Sequence, residues 1–230
     1  MQYTLLQERL PEHVVHVSAQ RLRCSFFLSF PRVYPANSLF FTWNDFEAKV
    51  NSELVNNFSN LVNRILVLTY KNFKKIPEIK DMKLYEELNN EYENYLNLYR
   101  SNMDKIKLRE GLVNFIQFSS ECNLFINNYE PWNLIKIDKE RCEQVLGILC
   151  NFLIKLSVLG LPFIPDCCNK IQSILNINCN DYFFDINKFV GSELNKPDIL
   201  FKRISKDKLD ELRSEEHTSE LQSPCNLVCR

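Results

Sequence analysis

The sequence contains little glycine and no excess of positive charge. Only four glycines occur among 230 residues, while 45% of the residues are hydrophobic. This composition favours a packed, helix-rich protein over a β-sandwich or a disordered chain. The formal net charge is −1, so no general surplus of Lys and Arg is present to displace counterions from phosphates. Any contact with nucleic acid must therefore be local.

No Cys-x-x-Cys pair occurs among the nine cysteines. Four of them fall among helical apolar residues, namely Cys142, Cys150, Cys167 and Cys168. The spaced pair Cys225 and Cys229 has no histidine at ligand spacing, which a zinc site of that kind would need. We therefore predict reduced, buried thiols and no metal site.

The sequence shows no run of about 18 apolar residues that would span a membrane. The first 30 residues include Glu8 and Glu12 and have no compact apolar stretch after a basic start, which argues against a secretory signal. We predict a cytoplasmic protein without a membrane partner.

Both ends of the chain differ from its centre. Residues 1–34 mix Arg, His and Phe without a sustained period, and we interpret them as a mispredicted or truncated start. The alternative, an organelle-targeting arm around Arg9, Arg21 and Arg23, is weakened by the acidic residues. Residues 213–223 resemble a sequencing-adapter read translated in frame. The prediction is an α-helical domain at 35–212, followed by an artefactual tail at 213–230.

The centre of the chain has helical periodicity. At about 100° per residue, one face of the first pattern carries Leu54, Phe58, Leu61, Ile65 and Leu68,. An adjacent face, predicted to be free, carries Glu53, Asn57, Asn60 and Arg64. Thr42 is a plausible N-cap for this helix, and the helix is predicted to end before Pro77.

Further apolar repeats at steps of three and four predict helices over 85–96, 112–126 and 142–156,. Gly160 and the prolines after it break the last of these, and Asp166 is predicted to cap the next helix. Residues 176–205 have no firm period and are predicted to be a return segment, with a short helix at 206–213. The fold class is therefore all-α, a bundle of four to five helices.

Two short patterns point to a function. Pro131 and Trp132 lie between two long helical patterns, with little nearby to bury the indole. Asn60 and Arg64 lie one helical turn apart. Together these patterns resemble the anticodon-binding domain of methionyl-tRNA synthetases, class I enzymes, over most of residues 35–213. The resemblance implies that Asn60, Arg64, Pro131 and Trp132 hold the CAU anticodon of methionine tRNA.

Anticodon bases are single-stranded, so aromatic rings can stack on their faces, and amide and guanidinium groups can read their edges. The resemblance implies that Trp132 stacks on the first anticodon base, a cytosine. Stacking tolerates any base, so selectivity would come from hydrogen bonds of Asn60 and Arg64 to this base and its neighbours.

Each residue also has a purely structural interpretation. Asn60 and Arg64 fit a solvated helix face, and Trp132 fits a hydrophobic staple over the helix that starts near Asp138. On that basis the alternative function is a non-catalytic helical protein-interaction module. The two hypotheses differ at Trp132, which must be solvent-accessible and within reach of Arg64 to bind an anticodon.

The catalytic signatures of class I synthetases, His-Ile-Gly-His and Lys-Met-Ser-Lys-Ser, do not occur in the sequence. Residues 1–34 match nothing in the family where its catalytic domain should end. The resemblance therefore implies that the parent enzyme, a methionine–tRNA ligase, uses ATP and Mg, while this chain holds no cofactor and is not active alone. The partners it implies are methionine tRNA, the missing catalytic domain and other synthetases in a complex.

Overall fold

A computed structural model describes residues 43–181 and 183–200, together with Asp207 and Asp210. Its elements, in chain order, are α1 (Trp43–Lys49), a π-helical stretch (Val50–Ser59), α2 (Asn60–Asn72), α3 (Met82–Asp104), α4 (Leu108–Tyr129), α5 (Pro131–Ile137), α6 (Lys139–Leu159) and α7 (Pro165–Ile174). The first three follow one another without a break, so the described part consists of five principal helices and the short α5. The predicted all-α bundle is confirmed.

The first helical rod buries the face that the periodicity predicted. Leu54, Phe58, Leu61 and Ile65 are all buried, and Leu68, the last residue of the predicted face, is partly buried against the core. The backbone N–H of Asn60 donates to the carbonyl of Val55, five residues back, which is the spacing of the wider π-helical turn. The rod ends at Asn72, before Pro77 as predicted. Thr42 lies outside the described residues.

Helix α6 is the central helix of the bundle. The carboxylate of Asp138 accepts the N–H of Arg141 at 2.9 Å and caps its start,. Every residue from Gln144 to Leu159 is buried, and the helix contacts α2, α4 and α7.

By length and composition α6 is apolar enough to cross a membrane, with 94% of its most apolar window buried inside the bundle. The expectation that no such run exists was therefore wrong. Core burial on all sides accounts for the apolarity of this helix, because a helix that is hydrophobic all round is typical of a protein interior as well as of a membrane.

Aromatic rings join α3, α4 and α6. The ring of Tyr92 lies 5.2 Å from that of Phe118 and 5.6 Å from that of Phe152, measured between centroids. Tilted pairs at such distances are favourable beyond the area that they bury. These contacts fix the α3–α4 hairpin against the central helix.

The described cysteines Cys122, Cys142, Cys150, Cys167, Cys168 and Cys179 are buried and free. Burial raises the pKa of Cys150 to about 12 and that of Cys167 to about 12. Such thiols are poor nucleophiles and poor metal ligands. The buried state predicted for the four helical cysteines is confirmed.

The end of the bundle differs from prediction in one detail. Helix α7 begins at Pro165, so Asp166 lies in its first turn and is not the N-cap. Proline suits the first helical position because the N–H it lacks would have no partner there. Residues 176–181 and 183–200, the described part of the predicted return segment, are non-helical as expected. Its strand-like contact with the chain after α2 includes Ile76 N–H donating to Ser192 O at 3.0 Å.

The helix predicted over 206–213 lies mostly outside the described residues. Asp207 and Asp210, which the structure does describe, are both helical.

Candidate functional site

The junction between α4 and α5 sets the position of Trp132. Glu130 adopts a left-handed conformation, with φ 43° and ψ 60°, and separates the two helices. Pro131 is buried and starts α5, and its carbonyl accepts a bond from the Cys142 thiol at 3.4 Å. Trp132 therefore lies in the first turn of a short helix between the two long ones.

The Trp132 side chain is half-buried and packs against the core. Residues 131–137 are too few to show an apolar period, which is why the sequence did not predict this helix. The Glu130 carbonyl accepts the N–H of Asn133 at 2.8 Å and that of Leu134 at 3.0 Å, which closes the first turn.

Arg64 of α2 lies against Trp132. Its guanidinium carbon is 4.8 Å from the centroid of the indole ring, within the range of a cation–π interaction. Its Nη2 atom donates to Oδ1 of Asn127 at 2.7 Å. Partial burial lowers the pKa of Arg64, but a guanidinium remains charged at neutral pH. The site thus places a cation over the face of a flat ring.

Asn60 lies one helical turn before Arg64 at the start of α2, and its side chain is exposed. Within the described residues the Asn60 amide makes no side-chain hydrogen bond. The structure therefore brings Arg64, Pro131 and Trp132 together. Asn60, four residues before Arg64 on the same helix, is exposed to solvent. The requirement that Trp132 lie within reach of Arg64 is met.

The sequence analysis missed the hydrogen-bonding residues of α4. Asn127 holds Arg64, and Asn123 donates to the Asn57 side-chain oxygen at 2.8 Å. Asn57 in turn donates to the hydroxyl of Ser120 at 2.8 Å. Asn57 was predicted to lie on a free face, and this was wrong, because α4 packs against the π-helical stretch.

The missed residues did leave a signal in the sequence. Asn123 and Asn127 are four residues apart, so they share one face of α4. That face is polar next to the apolar positions Cys122 and Ile126, which are buried. A polar pair at this spacing beside a buried stripe indicates a helix face that meets polar groups of a neighbour.

Charged contacts also brace the end of α4. The Tyr129 hydroxyl donates to the carboxylate of Glu87, and the guanidinium of Arg141 lies 5.5 Å from the Tyr129 ring. Burial, together with the Glu87 carboxylate, raises the pKa of Tyr129. Arg141 also pairs with Asp81, the residue that caps α3. These contacts hold the helix end that carries the candidate site.

Among the described residues, no group of three or more His, Cys, Asp or Glu side chains is placed to hold a metal ion. The chemistry available at the Arg64–Trp132 pair is recognition of a flat, polar partner by stacking and by charged hydrogen bonds.

Comparison with known proteins decides the family. A family model described as the anticodon binding domain of methionyl tRNA ligase matches residues 76–219, more than half of the chain. The chain belongs to the methionyl-tRNA ligase family. A second model, for class I tRNA synthetases of the methionine type, matches residues 11–66.

This second match corrects one expectation. Residues 11–34 fall within the class I synthetase model, so the statement that residues 1–34 match nothing in the family was wrong. The first match extends to residue 219, beyond the predicted end of the domain at 212. The domain limits at 34/35 and 212/213, and the nature of the two ends, remain predictions.

Similar proteins include a probable cytoplasmic methionine–tRNA ligase of Dictyostelium discoideum, 36% identical over 82% of this chain and 26% of the relative. A methionine–tRNA ligase of Methanocaldococcus jannaschii is 31% identical over 75% of this chain and 26% of the relative. The chain thus spans about a quarter of the length of these curated relatives.

Solved structures agree on the fold. The apo form of Mycobacterium tuberculosis methionyl-tRNA synthetase superposes with a TM-score of 0.65 at 21% identity, over 72% of this chain and 35% of that one. The same enzyme in complex with methionyl-adenylate gives a TM-score of 0.61 at 20% identity, over 70% of this chain and 33% of that one.

Proposed function

We propose that this chain binds methionine tRNA through its CAU anticodon, with Trp132 as the stacking surface for the first base. The observation that carries the proposal is the contact between Arg64 and Trp132, a guanidinium and an indole 4.8 Å apart, in a chain of the methionyl-tRNA ligase family. Unpaired bases are bound through such flat and charged groups. In this arrangement Pro131 fixes the start of α5 and so the direction of the indole.

Arg64 and Asn60 are the proposed readers of base edges. The guanidinium offers several N–H donors in one plane, and the exposed Asn60 amide offers both a donor and an acceptor. Arg64 is held at a half-buried position by one hydrogen bond from its charged guanidinium to the Asn127 amide oxygen and by one cation–π contact. A hydrogen bond from a charged donor is worth about 1.5 to 3 kcal/mol and a partly exposed cation–π contact about 1 kcal/mol, so a base that shifts the guanidinium has to replace these contacts with its own.

The activity of the parent enzyme is part of the same proposal. The parent would join methionine to its tRNA with ATP and Mg, and this chain would supply discrimination among tRNAs without holding a cofactor itself. Its further partners would be the catalytic domain of the same enzyme and other synthetases in a complex. The name of the Dictyostelium relative supports a cytoplasmic location.

The proposal is tested by binding of the full 230-residue chain to two RNA stem-loops at one fixed salt concentration. One loop carries the CAU anticodon, and the other differs only in its first anticodon base. We expect the CAU loop to bind at least about tenfold more tightly, a difference of about 1.4 kcal/mol. Equal affinities for both loops, governed only by salt as for nonspecific phosphate contacts, would contradict the proposal.

A further inference from the structure

Lys155, in the middle of α6, is a buried cation that forms no direct ion pair within the described part of the chain. Its side chain is 5% exposed, and its Nζ donates to the hydroxyl of Tyr85 at 2.9 Å. No carboxylate of the described residues lies within ion-pair distance of this amine. A buried ammonium is costly unless it is paired with a charge or well hydrogen-bonded.

Three aromatic rings surround the Lys155 amine. Nζ lies 4.3 Å from the ring centroid of Tyr92, 4.7 Å from that of Phe152 and 5.4 Å from that of Tyr85. Cation–π contacts of this kind offset part of the cost of burial. The carboxylates of Glu93 and Glu86 act on this charge from beyond ion-pair distance and favour it, but less than burial disfavours it.

Lys155 is one of the residues that line a cavity of about 690 Å³. Its walls come from α3, α6 and residues 183–188 of the return segment, and they include the rings of Tyr85, Tyr92 and Phe183. Lys188 adds a second cation, while Glu93 and Asp185 add two carboxylates. The volume lies within the range of small-molecule sites, which are commonly apolar with a few placed polar groups.

We propose that this cavity binds a small organic carboxylate with a flat apolar body, whose charge pairs with Lys155 and whose body lies against the rings. A bound carboxylate would give the buried amine a direct ion-pair partner, in addition to the longer-range charges of Glu93 and Glu86. Glu93 and Asp185 would repel a doubly charged phosphate more strongly than a monoanion, which favours a carboxylate. Neither Arg64 nor Trp132 lines this cavity, so this proposal is independent of anticodon binding.

The test measures calorimetric binding of 2-naphthoate to the full chain at neutral pH. The comparison probes are 2-naphthalenemethanol, which has the same rings without the charge, and inorganic phosphate, which has the charge without the rings. We expect saturable binding of 2-naphthoate, at least about tenfold tighter than that of either comparison probe.

The matched variant is Lys155→Met, which keeps an unbranched side chain one atom shorter and removes the charge. It is expected to weaken 2-naphthoate binding about tenfold or more and to leave the weak binding of the alcohol unchanged. Replacing a buried charge by an apolar residue is often neutral for stability. Circular dichroism verifies the fold, and Lys155→Gln serves as the second variant if the methionine variant does not fold.

The pH dependence distinguishes Lys155 from its neighbours. Burial lowers the pKa of Lys155 to about 8, so affinity should fall as the pH rises through 8 and the amine loses its charge. Tyr85, whose pKa burial raises to about 12, stays neutral over this range. The other charged groups near the amine are Glu86, Glu93, Asp185 and Lys188.

Lys188→Met is the control variant for the second cation. In this variant the affinity for 2-naphthoate should still fall as the pH rises through about 8. Absence of saturable 2-naphthoate binding, equal binding of the alcohol, tighter binding of phosphate, or full affinity in both Lys155 variants would each overturn the proposal.

Discussion

The guanidinium of Arg64 lies over the indole of Trp132, 4.8 Å from the ring centroid, although the two residues come from different helices. Asn127 accepts a hydrogen bond from the same guanidinium at 2.7 Å. Three helices therefore meet at one cation: α2 through Arg64, α4 through Asn127 and α5 through Trp132.

The first prediction concerns this stack. Arg64→Lys replaces a planar guanidinium by a compact, strongly hydrated ammonium, which stacks less well on an indole. In a Trp43→Phe background, where Trp132 is the remaining tryptophan, we expect the emission of Trp132 to move to longer wavelength. Arg100→Lys, at an exposed position on α3, is the control. An unchanged spectrum in Arg64→Lys would show that the stack does not persist in solution.

The second prediction concerns the amide network between the first rod and α4. Asn123→Ala removes the 2.8 Å bond to the Asn57 side chain and another at 3.2 Å to the Asn57 carbonyl. We expect a loss of about 1 to 2 kcal/mol in the free energy of unfolding, measured with urea. Asn128→Ala, at an exposed position on the same helix, should cost much less. Equal losses in the two variants would argue against the network.

The third prediction concerns stability and pH at Lys155. Its pKa is lowered by burial from 10.5 to about 8, so between these values the unfolded chain binds a proton that the folded chain does not. The free energy of unfolding therefore gains a contribution that rises with pH over this window, roughly 3 kcal/mol in full. Lys155→Met lacks this contribution.

Urea unfolding of the wild type and of Lys155→Met at pH 7 and pH 10 measures this contribution of Lys155 to the free energy of unfolding. The stability of the wild type relative to Lys155→Met is expected to increase from the lower to the higher pH. The buried cysteines titrate alike in both proteins, so their effect cancels in the difference. A difference that is independent of pH would mean that Lys155 is not buried as the structure describes.

Local periodicity predicted the helices and their buried faces because burial repeats with the helical turn. Leu54, Phe58, Leu61 and Ile65 followed from that repeat. The resemblance to a known family, and not the periodicity, suggested that Arg64 and Trp132 belong to one site, and the structure places them in contact.

Pairings between distant segments were not predictable in the same way. The engagement of Asn57 by α4 depends on how two helices pack, and nothing in the sequence near Asn57 specifies its partner. Lys155 is the single cation in the buried part of α6, residues 144–159, and its environment comes from α3, α6 and the return segment together. The short α5 contains too few residues to show a period, and its helical form depends on the reversal at Glu130.

The most direct test of anticodon binding at this site compares wild type and Trp132→Ala, with Trp132→Phe as the variant that keeps a ring. Affinity for the CAU stem-loop and for the loop with a changed first base is measured at one salt concentration. Loss of the stacking ring is expected to cost about 1 to 3 kcal/mol with the CAU loop, with Trp132→Phe retaining part of the affinity. If Trp132→Ala binds both loops as tightly as the wild type does, Trp132 is not part of an anticodon site.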